Sequence, residues 1–240
     1  MKRFLLILLL IFSYGIVYAQ FYNDNFTYKF KDDFESWTPS TIGGWTTRVQ
    51  SAGIVSTTTV VSKYKTYSLM LQDNSTTQTD VYLTKSLAGY TTTYYRFYLK
   101  FPTGFFWETS RMLFSFIPTG GSRTRLYANK SGQTGYLRLG EEGPSGGLRD
   151  SEILKEDRWY CFEVYLPSCT ANTTIRWWLD NVEQTSIPTD LSTYGNWATL
   201  NFGMQYTNTA VSTNTIYFDQ FVASTQRIGM IKKRFPINTN

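Results

Sequence analysis

The stretch Thr93–Phe101 reads TYYRFYLKF, and its side chains alternate in character with a period of two residues. Successive side chains of a strand point to opposite faces of a sheet, so this pattern predicts a strand with one face on a core. The stretch Trp159–Leu166, WYCFEVYL, alternates in the same way. Both segments therefore predict half-buried strands.

Two adjacent tryptophans sharpen this assignment of faces. Trp177 falls on the same face as Ile175 and Leu179, whereas Trp178 falls on the face of Arg176. Only one member of the pair can lie in the core, and its neighbours favour Trp177. The alternation predicts that the following side chains are buried: Phe97, Leu99, Phe162, Val164, Trp177, Phe202 and Phe218.

Short alternating segments recur along the chain between turns rich in Gly, Asn and Ser, which is typical of a sandwich or barrel. The predicted strands are Thr27–Phe34, Trp45–Gln50, Ser68–Gln72, Asp80–Ser86, Thr93–Phe101, Met112–Ile117, Thr124–Asn129, Tyr136–Gly140, Trp159–Leu166, Thr174–Leu179, Thr199–Tyr206 and Thr215–Ala223. The longest predicted loops are Gly104–Arg111, Gly120–Arg123 and Glu141–Glu156, the last with a helical turn at Ser151–Glu156. The fold class predicted is all-β, with two curved antiparallel sheets.

The amino terminus has the features of a secretory signal peptide. Lys2 and Arg3 precede an apolar run, and small residues surround Ala19. We expect cleavage after Ala19, which leaves residues 20–240 as a single domain outside the cytoplasm. No other segment approaches the roughly 20 apolar residues of a membrane-spanning helix, so none is expected in the mature chain.

The composition excludes several functional classes. The chain has no histidine, which removes the commonest general base, the Ser-His and Cys-His nucleophile systems and the usual zinc ligand. Without Lys2 and Arg3, 21 basic residues face 18 acidic ones, a net charge of about +3 that does not indicate a nucleic-acid partner. Two cysteines in a secreted chain suggest a disulfide, but a straight strand would separate Cys161 from Cys169. The sequence therefore leaves a disulfide and free thiols equally open.

Five segments in a fixed order resemble landmarks of the concanavalin A-like lectin/glucanase superfamily. They are Asp33–Trp37 (DFESW), Lys65–Leu71 (KTYSLML), Arg158–Glu163 (RWYCFE), Arg176–Asn181 (RWWLDN) and Ile216–Val222 (IYFDQFV), followed by Arg227-Ile228-Gly229. The resemblance implies a two-sheet jelly roll with a concave glycan-binding face. The superfamily contains lectins, laminin-G-like modules, family 16 glycosidases and polysaccharide lyases, so the fold does not choose the function.

Polar and aromatic side chains collect on the strand faces that do not point at the core. Phenols and indoles stack on sugar rings, while guanidinium and amide groups bind hydroxyls. The set therefore predicts that the protein binds a polysaccharide, and it allows an anionic one. An ordinary solvated outer face is the alternative. The predicted binding residues are Arg96, Tyr98, Lys100, Arg125, Tyr136, Arg138, Glu163, Arg176, Trp178 and Gln205.

Three functions stay open, namely a lyase, a lectin and an adhesion module, whereas hydrolysis is disfavoured. No strand carries the alternating Glu-x-Asp-x-Glu carboxylates that glycosidases of this fold use. A lyase would hold a uronate with arginines and move the proton with a tyrosine; the catalytic candidates are Tyr98, Tyr136 and Arg138. A lectin without activity, or an adhesion module docking through the basic tail Lys232–Asn240, are the others.

The resemblance also implies a structural calcium ion between the first and last strands, with Asp33, Glu35 and Asp219 as its ligands. Ordinary surface carboxylates are the alternative, and no other cofactor is expected. Four N-x-Ser/Thr sequons begin at Asn25, Asn74, Asn129 and Asn172.

Overall fold

The computed structural model describes residues 27–38, 41–51, 53–73, 80–107, 111–120, 123–142, 147–205 and 214–231. The predicted signal peptide, the basic tail, Asn25 and Asn74 lie outside these residues. Within the described ranges the chain forms strands and turns without a helix. None of the described residues forms a helix that could cross a membrane.

The described residues form sixteen strands. In chain order they are β1 Tyr28–Asp32, β2 Thr47–Gln50, β3 Gly53–Thr58, β4 Ser68–Asp73, β5 Val81–Ser86, β6 Thr93–Lys100, β7 Arg111–Pro118, β8 Thr124–Ser131, β9 Thr134–Glu141, β10 Leu148–Leu154, β11 Trp159–Leu166, β12 Thr173–Leu179, β13 Val182–Glu183, β14 Ile187–Thr189, β15 Trp197–Gln205 and β16 Asn214–Ser224.

The strands form two antiparallel sheets, as the sequence predicted. The nine-stranded sheet has the order β13-β12-β11-β6-β16-β4-β3, with β1 also paired to β16 and β14 to β12. The seven-stranded sheet has the order β10-β9-β8-β7-β15-β5-β2. Because consecutive strands often lie in different sheets, the connections are those of a jelly roll.

The core between the sheets is aromatic. Phe97 of the nine-stranded sheet has ring centroids at 5.2 Å from Phe162 beside it and at 5.0 Å from Phe202 of the opposite sheet. All seven side chains predicted to be buried are at most 1% exposed. The period-two prediction of the core is confirmed.

Differences from the predicted strands concentrate at the sheet edges. Residues 151–156 do not form a helical turn: β10 runs through Leu148–Leu154 and pairs only with β9. A bulge between Asp150 and Ile153 breaks the alternation, and an edge strand exposes apolar side chains that a central strand would bury. β3, β13 and β14 were missed for a related reason, since they are peripheral and β13 and β14 are short.

Both cysteines are free thiols. Cys161 lies opposite Tyr98 on the outer face of the nine-stranded sheet, and burial raises the pKa of its thiol to about 12. At neutral pH this thiol is protonated, so it behaves as a small apolar side chain.

Candidate functional site

The structure divides the predicted binding residues between two faces that point away from each other. Those on the outer face of the nine-stranded sheet are Arg96, Tyr98, Lys100, Glu163, Arg176 and Trp178. Those on the outer face of the seven-stranded sheet are Arg125, Tyr136, Arg138 and Gln205. One ligand cannot contact both sets, so the single face of the sequence prediction is corrected to two.

Residues 227–231, which we call the C-terminal strap, cover the outer face of the nine-stranded sheet. Glu163 accepts the backbone N–H of Ile228 at 2.7 Å and that of Gly229 at 3.2 Å. The phenol oxygen of Tyr98 accepts the N–H of Ile231 at 2.8 Å. The guanidinium of Arg227 lies 4.4 Å from the ring centroid of Trp178.

Four of the predicted binding residues on this face are buried, and three of them, Tyr98, Glu163 and Trp178, contact the strap. Arg96, Tyr98, Glu163 and Trp178 are at most 2% exposed. Burial also raises the pKa of the Tyr98 phenol far above its usual range, so this catalytic candidate stays protonated. Alternation along a strand identifies the sheet face of a residue but not the segment that covers it, which is why the prediction was wrong about access.

The two remaining members of this set are engaged with carboxylates: Lys100 lies at the end of the central strand β6, and Arg176 lies on β12 beside the edge strand β13. Lys100 Nζ is 2.7 Å from Asp157, and Arg176 makes two hydrogen bonds of 2.8 Å to Glu183. They do not extend the site on the other sheet.

The outer face of the seven-stranded sheet is polar, and the side chains of Arg125 and Arg138 on β8 and β9 are partly exposed there. Tyr127 pairs across the strands with Arg138, and Arg125 lies two residues along β8 from Tyr127. Each arginine contacts a phenol: Arg125 Nη1 is 3.3 Å from the oxygen of Tyr127, and Arg138 Nη2 is 3.0 Å from that of Tyr136. Two guanidinium groups and two phenols therefore form one continuous patch.

Each of these arginines also has a carboxylate partner. Arg138 makes a bidentate pair with Asp150 of β10, with distances of 2.5 Å and 2.8 Å. This hydrogen bonding raises the pKa of Arg138 further above its ordinary value. Arg125 Nη1 lies 2.5 Å from Glu142. The patch thus carries two opposite-charge pairs and little net charge.

Amide and hydroxyl groups extend the face across β7 and β15. Gln205 Oε1 accepts hydrogen bonds from Ser115 Oγ at 3.0 Å and from Asn201 Nδ2 at 3.2 Å. Further along, Thr47 and Thr84 share a hydroxyl hydrogen bond of 2.6 Å. The buried amide network fixes the orientation of these groups before any ligand arrives.

An apolar edge completes the face on β10. Leu148 is 55% and Ile153 50% exposed, and they pair with Gly140 and Tyr136 of β9. The Cβ that Gly140 lacks would lie 2.6 Å from Leu148 Cδ2, so glycine is what allows Leu148 to lie across β9 beside Tyr127. Apolar C–H surface beside phenols suits the faces of sugar rings.

Sequence reasoning missed Ser115, Leu148 and Ile153. Ser115 lies between Phe114 and Phe116 in a predicted strand. The alternation of side chains along a strand could therefore have placed Ser115 on the outer face. Leu148 and Ile153 fell in a predicted loop, and no local signal marked them as strand residues.

The three carboxylates predicted to bind calcium do not form one ligand group. Asp33 lies 2.6 Å from Lys65 Nζ. Glu35 Oε1 and Asp219 Oδ2 each accept two backbone N–H groups from residues 63–67, at 2.7–3.1 Å. Among the described residues, no three or more His, Cys, Asp and Glu side chains are placed to hold a metal ion.

One oxygen of these carboxylates lacks a hydrogen bond within the described residues. Asp219 Oδ1 is buried and has no hydrogen-bond partner in the described part of the chain. Burial raises the pKa of Asp219 to about 7, which marks a carboxylate that lacks compensation. A calcium ion with carbonyl ligands would supply that compensation, so calcium stays a prediction.

No protein-family model matches the chain, and no curated protein matches it. Several solved structures share its fold. The endo-β-1,4-glucuronan lyase of the fungus Trichoderma reesei superposes with a TM-score of 0.64 at 13% identity, covering 83% of this chain and 96% of that one. The cellulose-induced protein Cip1 superposes with a TM-score of 0.58 at 18% identity, covering 84% of this chain and 100% of that one.

A third similar structure is a mutant form of the alginate lyase Aly36B bound to an alginate trisaccharide. It has a TM-score of 0.57 at 13% identity over 67% of this chain and 82% of that one. Identities this low show the fold and not the activity. The two antiparallel sheets and these neighbours show that the chain has a jelly-roll sandwich fold of the concanavalin A-like kind.

Proposed function

We propose that this chain is a secreted polysaccharide-binding protein whose ligand lies on the outer face of the seven-stranded sheet. The observation that carries the proposal is the continuous row of Arg125, Tyr127, Arg138 and Tyr136, all partly exposed on the outer face of β8 and β9. Phenols offer stacking surfaces, and the guanidinium groups offer hydrogen bonds to hydroxyls. The predicted signal peptide supports secretion.

The similar structures support a polysaccharide rather than a small ligand. Two are described as lyases, one of glucuronan and one of alginate, and the third as cellulose-induced. A face crossed by several adjacent strands is also wide enough for consecutive sugar units of a polymer, since strands lie about 4.8 Å apart.

Lyase activity is a second candidate, favoured by the contact between Tyr136 and Arg138. The phenol of Tyr136, held 3.0 Å from the guanidinium of Arg138, could move the C5 proton of a uronate. The guanidinium would stabilise the negative charge that develops on the uronate carboxylate. The carboxylate of Asp150 opposes this role because it already occupies the guanidinium. New ultraviolet absorbance on incubation with glucuronan or alginate would reveal elimination, and its absence with retained binding favours the binding protein.

The binding function is tested by affinity electrophoresis in gels containing different polysaccharides. Tyr136→Ala removes a stacking surface and should weaken binding by about 1–3 kcal/mol, or roughly 5- to 150-fold in Kd. Tyr217→Ala is the matched control, because Tyr217 is also half-buried but lies on the outer face of the other sheet. Equal affinity of both variants would contradict the proposed face.

We also propose a structural calcium ion at Asp219 Oδ1, with backbone carbonyl groups as further ligands. Calcium should raise the melting temperature relative to a chelator, by about 2–4 °C for each kcal/mol of binding free energy. Asp219→Asn removes the charge and should abolish the calcium response. The same melting temperature in calcium and in chelator would contradict the ion.

A further inference from the structure

The cations on the binding face are neutralised before any ligand arrives. Arg138 engages Asp150 with two nitrogens, and Arg125 engages Glu142. Both pairs are partly exposed, with arginine side chains 28% and 21% accessible, so they lie at the ligand-facing surface rather than beneath it. A ligand approaching β8 and β9 therefore meets two dipolar pairs and no unpaired guanidinium there.

The rest of the face offers little additional positive charge. Near the Tyr82 phenol the face carries both an acidic and a basic side chain, Asp80 and Arg123, and of these two Asp80 has the larger effect on the pKa of this phenol. Lys130 lies at the far end of β8, with Nζ 5.9 Å from the ring of Phe106. The internal segments outside the described residues contain a single charged residue, Glu108, and it is acidic.

This arrangement disfavours a uronate ligand. A uronate carboxylate would have to displace Asp150 from its bidentate pair with Arg138. That pair forms within the chain and does not lose the translational and rotational entropy that a ligand loses on binding, and the displaced carboxylate would repel the uronate. Sugar hydroxyls have no such conflict, because they can donate to Asp150 and Glu142 and accept from the outer N–H groups of the arginines at the same time. Paired charges thus suit a ligand that is polar but uncharged.

We propose that the polysaccharide bound on this face is a neutral polymer of hexoses or pentoses, given that the chain binds a polysaccharide there. Asp150 and Glu142 act as specificity residues: they hold the two arginines in position and exclude acidic polymers.

The first experiment uses the unmodified protein. Its affinity is measured for neutral polymers such as a mixed-linkage glucan, a xylan and a mannan, and for glucuronan, alginate and pectate, at low and high salt. We expect binding to at least one neutral polymer with a Kd that barely changes with salt. Tighter binding to an acidic polymer, weakened by salt, would overturn the neutral class and leave the binding function intact. Absence of binding to every polymer would overturn both.

The second experiment releases the arginines. In the double variant Glu142→Gln/Asp150→Asn, both guanidinium groups lose their charged partners and become available to a uronate. Binding to glucuronan or alginate should strengthen at least tenfold at low salt, which is the size of one charge-assisted hydrogen bond. Glu183→Gln, which frees Arg176 on the other sheet, is the control and should not change binding to acidic polymers. An unchanged affinity of the double variant for acidic polymers would overturn the role of these carboxylates.

Discussion

The two outer faces of this sandwich carry similar residue types, but these side chains are buried on one face and partly exposed on the other. On the nine-stranded sheet, Tyr98, Glu163 and Trp178 are at most 2% exposed beneath the C-terminal strap. On the seven-stranded sheet, Arg125 and Arg138 keep 21% and 28% of their side-chain surface accessible. Arginines, phenols and carboxylates in alternation are therefore not evidence of a ligand site until the covering segments are known.

The strap is held by the polar groups that resemble a binding site. Glu163 and Tyr98 accept hydrogen bonds from strap N–H groups, and Arg227 lies over Trp178 as a ligand cation would. These side chains satisfy the backbone of their own chain, which would otherwise be buried without partners. The outer face of the nine-stranded sheet is therefore largely an interface within the chain, whereas Arg125 and Arg138 on the other sheet stay partly exposed.

The largest expected effect separates the two adjacent tryptophans. Trp177 is fully buried between the sheets, and its Nε1 donates to the carbonyl of Thr185 at 2.9 Å. Trp177→Ala should cost about 3–5 kcal/mol of unfolding free energy, because it leaves a large cavity. Trp178→Ala should cost less, about 1–3 kcal/mol, since the strap can settle into the space. Urea denaturation measures both.

The same pair of variants tests where the glycan binds. Trp178→Ala should leave the affinity for polysaccharide unchanged, since the indole is covered by Arg227. If it weakened binding as much as Tyr136→Ala, the ligand would have to reach the nine-stranded face and the comparison of the two faces would fail.

The next effect in size concerns the attachment of the strap. Glu163→Ala removes the acceptor of the Ile228 and Gly229 N–H groups and the carboxylate that lies 3.4 Å from the Arg227 guanidinium. Leaving such groups unsatisfied should cost about 1–3 kcal/mol. A loosened strap should also be cut by trypsin after Arg227, which mass spectrometry of the fragments detects. Glu152→Ala, at an exposed position of β10, is the control. Resistance equal to that of the wild type would mean that Glu163 does not hold the strap.

The central fold was predictable from the sequence because each central strand buries one face. In β6 and β11 the period-two pattern fixed both the strand and its inward side, and every predicted core residue is buried. Edge strands give weaker signals. β10 has one neighbour, a bulge and exposed Leu148 and Ile153, so its composition reads as a loop.

The candidate site was predictable only in part. Parity placed Arg125, Tyr136, Arg138 and Gln205 on non-core faces, but it could not tell that Arg96 and Trp178 belong to the opposite sheet, since parity has no information on sheet membership. The cover over Tyr98 comes from Tyr64 and Ile231, which are 34 and 133 residues away in the chain. Contacts at that separation depend on the assembled topology and leave no local pattern.

The smallest expected effect comes from the exposed counterpart of the Arg138–Asp150 pair. Arg176 and Glu183 form a bidentate pair on the strap-covered sheet, with side chains 47% and 43% exposed. The hydrogen bond from Arg176 holds the pKa of Glu183 below its ordinary value, so the pair stabilises the fold above the unfolded pKa and the stabilisation is lost as the pH falls through the folded pKa. Exposed pairs contribute about 0.2–1 kcal/mol, and Glu183→Gln should lower the unfolding free energy by no more than that at neutral pH. The difference from the wild type should shrink as the pH falls below the ordinary glutamate pKa, and it should also shrink in about 1 M salt, where the Debye length is roughly 3 Å. If Glu183→Gln lowered the unfolding free energy by well above about 1 kcal/mol, and still did so in high salt, this edge of the nine-stranded sheet would be more deeply covered than its exposure indicates. The burial that distinguishes the outer face of this sheet would then include its edge.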